Sequence, residues 1–152
     1  MFQKILVPLD GSPYSEAVLE PVTKMAAGTK ATVVLLRVGE PPKDVIIEQG
    51  RVIPLDEQVG WMEVEFESYL TEKSRQLKSQ GVVVETATAY GLPEEEIVQY
   101  AEDQNVDVIV IASHGRLCIG PVCFSDGADK ITTHSTRPVL LVKIPEGSVA
   151  KT

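Results

Sequence analysis

Five short aliphatic runs constrain the fold of this chain more than any other feature: Lys4 to Leu9, Ala31 to Val38, Val82 to Ala87, Val106 to Ala112 and Pro138 to Lys143. Each is rich in Val, Ile and Leu and barely alternates with polar residues. A strand with one wet face alternates; one that does not is buried on both faces, as parallel strands are between two layers of helix. Helical patterns separate the runs. Ser12 is a natural N-cap followed by Pro13 in the first helical position, and Tyr14, Val18, Val22 and Met25 fall on one face. Pro21 interrupts that pattern, and because an interior proline costs about 3 kcal/mol, a bend is expected there. Met62, Phe66, Tyr69, Lys73 and Leu77 mark the longest helix, with Glu63, Glu65 and Glu67 early and Lys73, Arg75 and Lys78 late, as the helix dipole favours. A third helix starts at Leu92-Pro93-Glu94 and turns Ile97, Val98 and Ala101 to the sheet, and a short last one lies near Asp126 to His134.

This order predicts an α/β fold: a three-layer α/β/α sandwich around an open, doubly wound, five-stranded parallel sheet with right-handed crossovers. With 152 residues the chain makes one domain, placed at 1–145 with a frayed tail at 146–152. The low aromatic share, 5% against 43% apolar, fits an aliphatic interior. Gly39 to Asp56, with Pro41-Pro42, Val45-Ile46-Ile47 and Val52-Ile53, is a long connection without clear periodicity. It reads either as a flap over a ligand or a partner-binding loop, or as a loop covering its own sheet edge.

Charge narrows the partners. With 22 acidic and 14 basic residues the net charge is −8, the wrong sign for binding a phosphate backbone, so no nucleic acid is expected. No apolar stretch approaches a membrane span, so no membrane is expected either. Cys118 and Cys123 are the only cysteines and are read as reduced packing thiols, with redox sensing as the second reading; with an opening too short in apolar residues for a secretory signal, a cytoplasmic location is expected.

In a doubly wound sheet, ligands bind at the carboxyl ends of the strands where the winding reverses. If the first and fourth strands flank that point, Pro8-Leu9-Asp10-Gly11-Ser12 and Ala112-Ser113-His114-Gly115-Arg116 face each other across it. A carboxylate at the end of a first strand is placed either to accept ribose hydroxyls or to brace the turn before Ser12; for Asp10 both readings stand. His114 lacks a nucleophile or orienting carboxylate at recognisable spacing, so it is read as a loop histidine bonding backbone, and no catalytic residue is assigned. His114, Cys118, Cys123 and His134 lack the paired spacing of structural zinc sites, so no metal ligand is assigned either.

At these residues the sequence resembles the universal stress protein family over nearly its whole length. The likeness is carried by Lys4-Ile5-Leu6-Val7-Pro8-Leu9-Asp10-Gly11-Ser12, Gly91-Leu92-Pro93 through Ile97, Ser113-His114-Gly115-Arg116, and Ala128-Asp129-Lys130-Ile131 through Pro138-Val139-Leu140-Leu141-Val142-Lys143. The resemblance implies a Rossmann-like sheet of order 3-2-1-4-5 and a homodimer formed through the last strand. An apolar edge at Val139 to Val142 supports that dimer independently, because a two-fold partner strand would cover it. Some members bind ATP through a pattern of Gly, two residues, Gly, nine residues, and Gly followed by Ser or Thr. Here the spacing persists as Ala112, Gly115 and Ser125-Asp126, keeping one glycine of three. Asp126 would place a carboxylate at the helix start meant for phosphate. Repulsion of a phosphate oxygen at about 4 Å is about 4 kcal/mol at an effective dielectric near 20, unless a bridging Mg²⁺ reverses the sign.

The resemblance also matches Asp10 and Val38 to positions that meet adenosine, with Pro8 and Leu9 on the same wall. Its leading implication is a non-catalytic, homodimeric regulatory module whose adenine-nucleotide crevice is degenerate and which acts through a regulatory protein partner. The alternative is a working ATP or AMP binder, with Mg²⁺ and slow hydrolysis, in which Gly115, Arg116 and Ser125 hold phosphates. A different small anion or a cyclic nucleotide is a third reading.

Overall fold

The computed structural model describes residues 2–113 and 131–144. In chain order its elements are β1 (Lys4–Leu9), α1 (Pro13–Glu16), α2 (Leu19–Ala26), β2 (Thr32–Gly39), β3 (Ile46–Glu48), β4 (Arg51–Ile53), α3 (Leu55–Lys78), β5 (Val83–Tyr90), α4 (Pro93–Asp103), β6 (Val108–Ser113) and β7 (Val139–Lys143). Five strands form one sheet in the order β5-β2-β1-β6-β7, every pair parallel. Counting only those five, this is the expected 3-2-1-4-5 arrangement.

Strict alternation along the inner strands divides the core in two. Ile5, Val7, Val33 and Leu35 meet Val18 and Val22, beside and within α2, and Leu70 and Leu77 of α3. Leu6, Val34, Leu36, Ile109 and Ile111 point the other way, onto Ile97 and Ala101 of α4 and onto Ile131. Both faces of the inner strands are therefore dry, which is why their sequences read as unbroken aliphatic runs.

The expected strand positions hold to within two residues except at one end, where β5 runs on to Tyr90. Its last residues pair with Arg37, Val38 and Gly39 of β2, and the Thr-Ala alternation there leaves no aliphatic signature. Ser12 caps α1 as expected, its Oγ accepting the Ser15 N–H at 3.2 Å. The expected bend at Pro21 is instead a break: α1 stops at Glu16, α2 starts at Leu19, and Pro21 falls in the first turn of the new helix. A missing N–H is harmless there, because first-turn N–H groups have no intrahelical acceptor.

The stretch between Gly39 and Asp56 is not an aperiodic loop. It contains the antiparallel hairpin β3–β4, which pairs Ile46 with Ile53, Ile47 with Val52 and Glu48 with Arg51. Its two-residue turn, Gln49–Gly50, has positive φ at both positions (51° and 77°), the handedness that suits twisted hairpin strands. α3 also starts seven residues before Met62, behind Pro54. Residues 131–134 are helical, whereas 126–130 of the expected last helix and the 146–152 tail lie outside the described residues. Among the described residues no helix is long and apolar enough to cross a membrane.

Candidate functional site

β1 lies between β2, the strand that follows it, and β6, reached after the chain crosses to the other side of the sheet. The winding therefore reverses between β1 and β6, and at their carboxyl ends a crevice of about 410 Å³ opens. That volume is within the range of small-molecule sites. The floor is aliphatic, made by Leu36, Ile97, Ile111 and Ile131, and the rim carries Asp10, Ser12, Tyr14, Ser15 and Glu94. No lysine or arginine is among the described residues lining it.

Pro8, Leu9, Val38 and Ala112, drawn from three strands that lie side by side, and Asp10, just past the end of β1, all line this crevice. His114, Gly115, Arg116, Ser125 and Asp126 lie outside the described residues, as do Cys118 and Cys123. Ser12, the end of the segment expected to face this point, also lines the crevice; sequence reading did not place Tyr14 and Ser15 there, nor Pro93 and Glu94 at the amino end of α4. The Gly91-Leu92-Pro93 segment was a signal available for the second pair, since Leu92 caps α4 and Pro93 is its first residue. Among the described residues no group of three or more His, Cys, Asp or Glu is arranged to hold a metal ion.

Asp10 does brace its turn. Its Oδ1 accepts the Ser12 N–H at 2.8 Å, and its own N–H donates to Ser15 Oγ at 3.2 Å. The backbone bond of this brace falls on Oδ1, and the carboxylate as a whole stands at the crevice rim. Partial desolvation pushes this carboxyl upward, but the hydrogen bonds from Ser12 and Ser15 and the nearby Arg37 charge outweigh it and hold the group below the usual carboxylate range. Asp10 is therefore anionic at neutral pH and acts as an acceptor.

Arg37 supports the same turn from beneath. It follows Leu36 on β2, so its side chain leaves the opposite face of the sheet, where the guanidinium lies 4.5 Å from the Phe66 ring centroid and 4.7 Å from that of Tyr69. Tyr69 in turn donates from its hydroxyl to Glu16 Oε2 at 2.6 Å, and Lys73 Nζ stands 3.0 Å from Glu16 Oε1. Gly11 is favoured here by its φ of +87°, and a Cβ would in addition sit 3.0 Å from Nη1 at the flexible end of Arg37, which would have to shift.

This arrangement can grip a flat, largely apolar group against aliphatic walls and accept hydrogen bonds from hydroxyls through Asp10. The described portion offers nothing of comparable strength to a polyanion.

Comparison with known proteins agrees with this architecture. The model of the universal stress protein family matches residues 1–143. The universal stress protein MJ0577 of Methanocaldococcus jannaschii is 30% identical over 94% of this chain and 96% of its own length. The solved structure of MJ0577 superposes with a TM-score of 0.67 at 28% identity, covering 97% of this chain and 99% of that one. At the level of fold alone, a universal stress protein in complex with cAMP matches with a TM-score of 0.68 at 19% identity, over 93% of this chain and 97% of that one. A universal stress family protein of Arabidopsis thaliana with AMP bound matches at 0.60 and 15%, over 93% and 91%.

Proposed function

The chain belongs to the universal stress protein family, and from that premise we propose that it is a non-catalytic regulatory module whose crevice takes the adenosine part of an adenine nucleotide and holds a triphosphate poorly. One observation carries this reading: Asp10, just past the end of β1, Val38 of β2 and Ala112 of β6 line one crevice with an aliphatic floor, an anionic acceptor at its rim and no cation among its described residues. Two fold neighbours whose structures hold cAMP and AMP support an adenine nucleotide as the ligand class.

The weakness toward triphosphate follows from the sequence pattern. Ala112 and Ser125 replace two glycines, and Asp126 brings a carboxylate to the phosphate end. At about 4 Å and an effective dielectric near 20, the repulsion of about 4 kcal/mol costs close to three decades of affinity. Gly115, Arg116 and Ser125 would have to offset it for the chain to bind ATP well, with Mg²⁺ bridging Asp126. In our reading the protein acts in the cytoplasm as a homodimer through β7, signalling by association with a protein partner. Support for the dimer comes from the edge position of β7, which leaves Leu140 39% exposed.

Titration calorimetry of the purified protein with AMP and with MgATP tests the proposal. AMP is expected to bind more tightly than MgATP, and Asp126→Ser is expected to strengthen MgATP binding at least tenfold, about 1.4 kcal/mol. Sub-micromolar MgATP binding by the wild type, or no gain from Asp126→Ser, overturns the degenerate-crevice account. Sedimentation showing only monomer at tens of micromolar, an order-of-magnitude range for useful association, overturns the dimer.

A further inference from the structure

The largest unexplained feature lies away from the crevice. Of the eleven large apolar side chains left exposed among the described residues, seven fall between Val45 and Val64. On the hairpin, Ile47 and Val52 form a cross-strand pair that is 72% and 55% exposed, on the side opposite the buried Ile53. On α3, Trp61 and Val64 are 48% and 69% exposed.

The two elements are held together. Arg51 of β4 pairs with Glu57 of α3 through two hydrogen bonds, at 2.9 and 3.2 Å. Trp61 and Val64 follow Glu57 by four and seven residues and so share its helical face. At the base of the hairpin the buried Gln58 amide donates to the Asp44 and Ile53 carbonyls, both at 3.1 Å. A hairpin clamped in this way keeps its apolar pair outward as part of a fixed surface.

Charge identifies the occupant. Residues 40–71 contain eight carboxylates against two cations, Lys43 and Arg51, and Arg51 is already paired with Glu57, as the next acid, Glu72, is with Arg75. This segment thus holds most of the net charge of −8 of the whole chain. A second copy would set one acidic rim against another, and an anionic membrane would be repelled in the same way. We infer that the hairpin and the outer face of α3 form a docking surface for a cationic segment of another protein, one that presents an apolar face rimmed by lysine and arginine. The inference is independent of nucleotide binding.

Trp61 is the sole tryptophan of the chain and reports on this surface directly. The probe is a tryptophan-free amphipathic peptide of leucine and lysine, about 18 residues, long enough to hold a helix once docked. Titrated into the full-length protein, it is expected to shift Trp61 emission to the blue with saturation. Ile47→Ser with Val52→Thr should weaken that binding at least tenfold while leaving circular dichroism and the thermal midpoint unchanged. Glu48→Gln with Glu65→Gln should weaken it less, and should flatten its salt dependence. A leucine–glutamate peptide should produce no shift. Three results overturn the inference: no blue shift with the cationic peptide, equal response to the acidic one, or indifference to the Ile47/Val52 change. Sedimentation in which wild type self-associates and the Ile47→Ser, Val52→Thr protein does not also overturn it, in favour of a second copy.

Discussion

Replacing Gly11 by alanine separates a backbone cost from a side-chain cost at the edge of the crevice. The native φ of +87° is one that residues with a Cβ avoid, and adopting it costs about 1–2 kcal/mol. The new methyl would also stand 3.0, 3.1 and 3.2 Å from Nη1, Nη2 and Cζ of Arg37, so the guanidinium must retreat. Retreat weakens its contacts with Phe66 and Tyr69, each worth about 0.5–1 kcal/mol at a partly exposed site. Gly11→Ala is therefore expected to destabilise the wild type by about 2–3 kcal/mol, but by only about 1–2 kcal/mol when Arg37 is already leucine. Urea unfolding of the four proteins of this double-mutant cycle measures the difference. With a slope of about 2 kcal/mol per molar, Gly11→Ala alone lowers the midpoint by about 1 M. A cost that is the same in both backgrounds, within about 0.3 kcal/mol, would refute the contact between Arg37 and the Asp10–Gly11 turn.

Gln58→Leu removes the amide that donates to the Asp44 and Ile53 carbonyls while leaving the Arg51–Glu57 pair in place, a loss of about 1–3 kcal/mol. Amide exchange should accelerate in β3 and β4 and stay slow in β1 and β2; uniform acceleration would mean that the clamp supports the whole fold rather than the hairpin. Asp107 Oδ2 accepts the N–H groups of Gln3 and Lys4 at 2.7 and 2.8 Å, which holds its carboxyl below the usual range. Because its folded pKa is depressed, its stabilising contribution is present above the unfolded pKa and is lost as pH falls through the folded one. Asp107→Asn should thus lower stability at neutral pH and flatten the acid limb of the stability curve, and an unchanged limb would exclude this role.

The sequence marks the sheet well and the regions beside it poorly, for physical reasons. β1 is legible to the residue because its aliphatic run is flanked by Gln3 and Asp10, and burial on both faces demands such a run. The hairpin is not, because each strand is three residues long and its turn begins with Gln49, not one of the usual turn formers. Gln58 reads as a surface residue until its two carbonyl partners are known. Arg37 looks like a flaw in an aliphatic strand; its aromatic partners stand about thirty residues away on α3, and only the packing of α3 on β2 brings them together. Asp10 and Val38 are legible as site residues because they stand at the carboxyl ends of neighbouring strands, where a doubly wound fold puts its ligand. Pro93 and Glu94 join them only because α4 packs on the same face as Leu36 and Ile111.

That asymmetry also separates the two halves of the proposed ligand. The base and ribose would meet walls fixed by strand ends, whereas the phosphates would meet the stretch from Gly115 to Asp126, where the glycine pattern is broken. A repelling carboxylate acts by distance: at an effective dielectric near 20 it costs about 2 kcal/mol at 8 Å and about 4 kcal/mol at 4 Å. Adenosine, AMP, ADP and ATP, compared without divalent cation, should then bind progressively more weakly, with the steepest loss where the added phosphate first approaches Asp126. Asp126→Ser should flatten that series without changing adenosine affinity. A series that strengthens with each phosphate in the wild type would show that the phosphate end attracts anions, and the carboxylate at 126 could not then be what sets ligand preference.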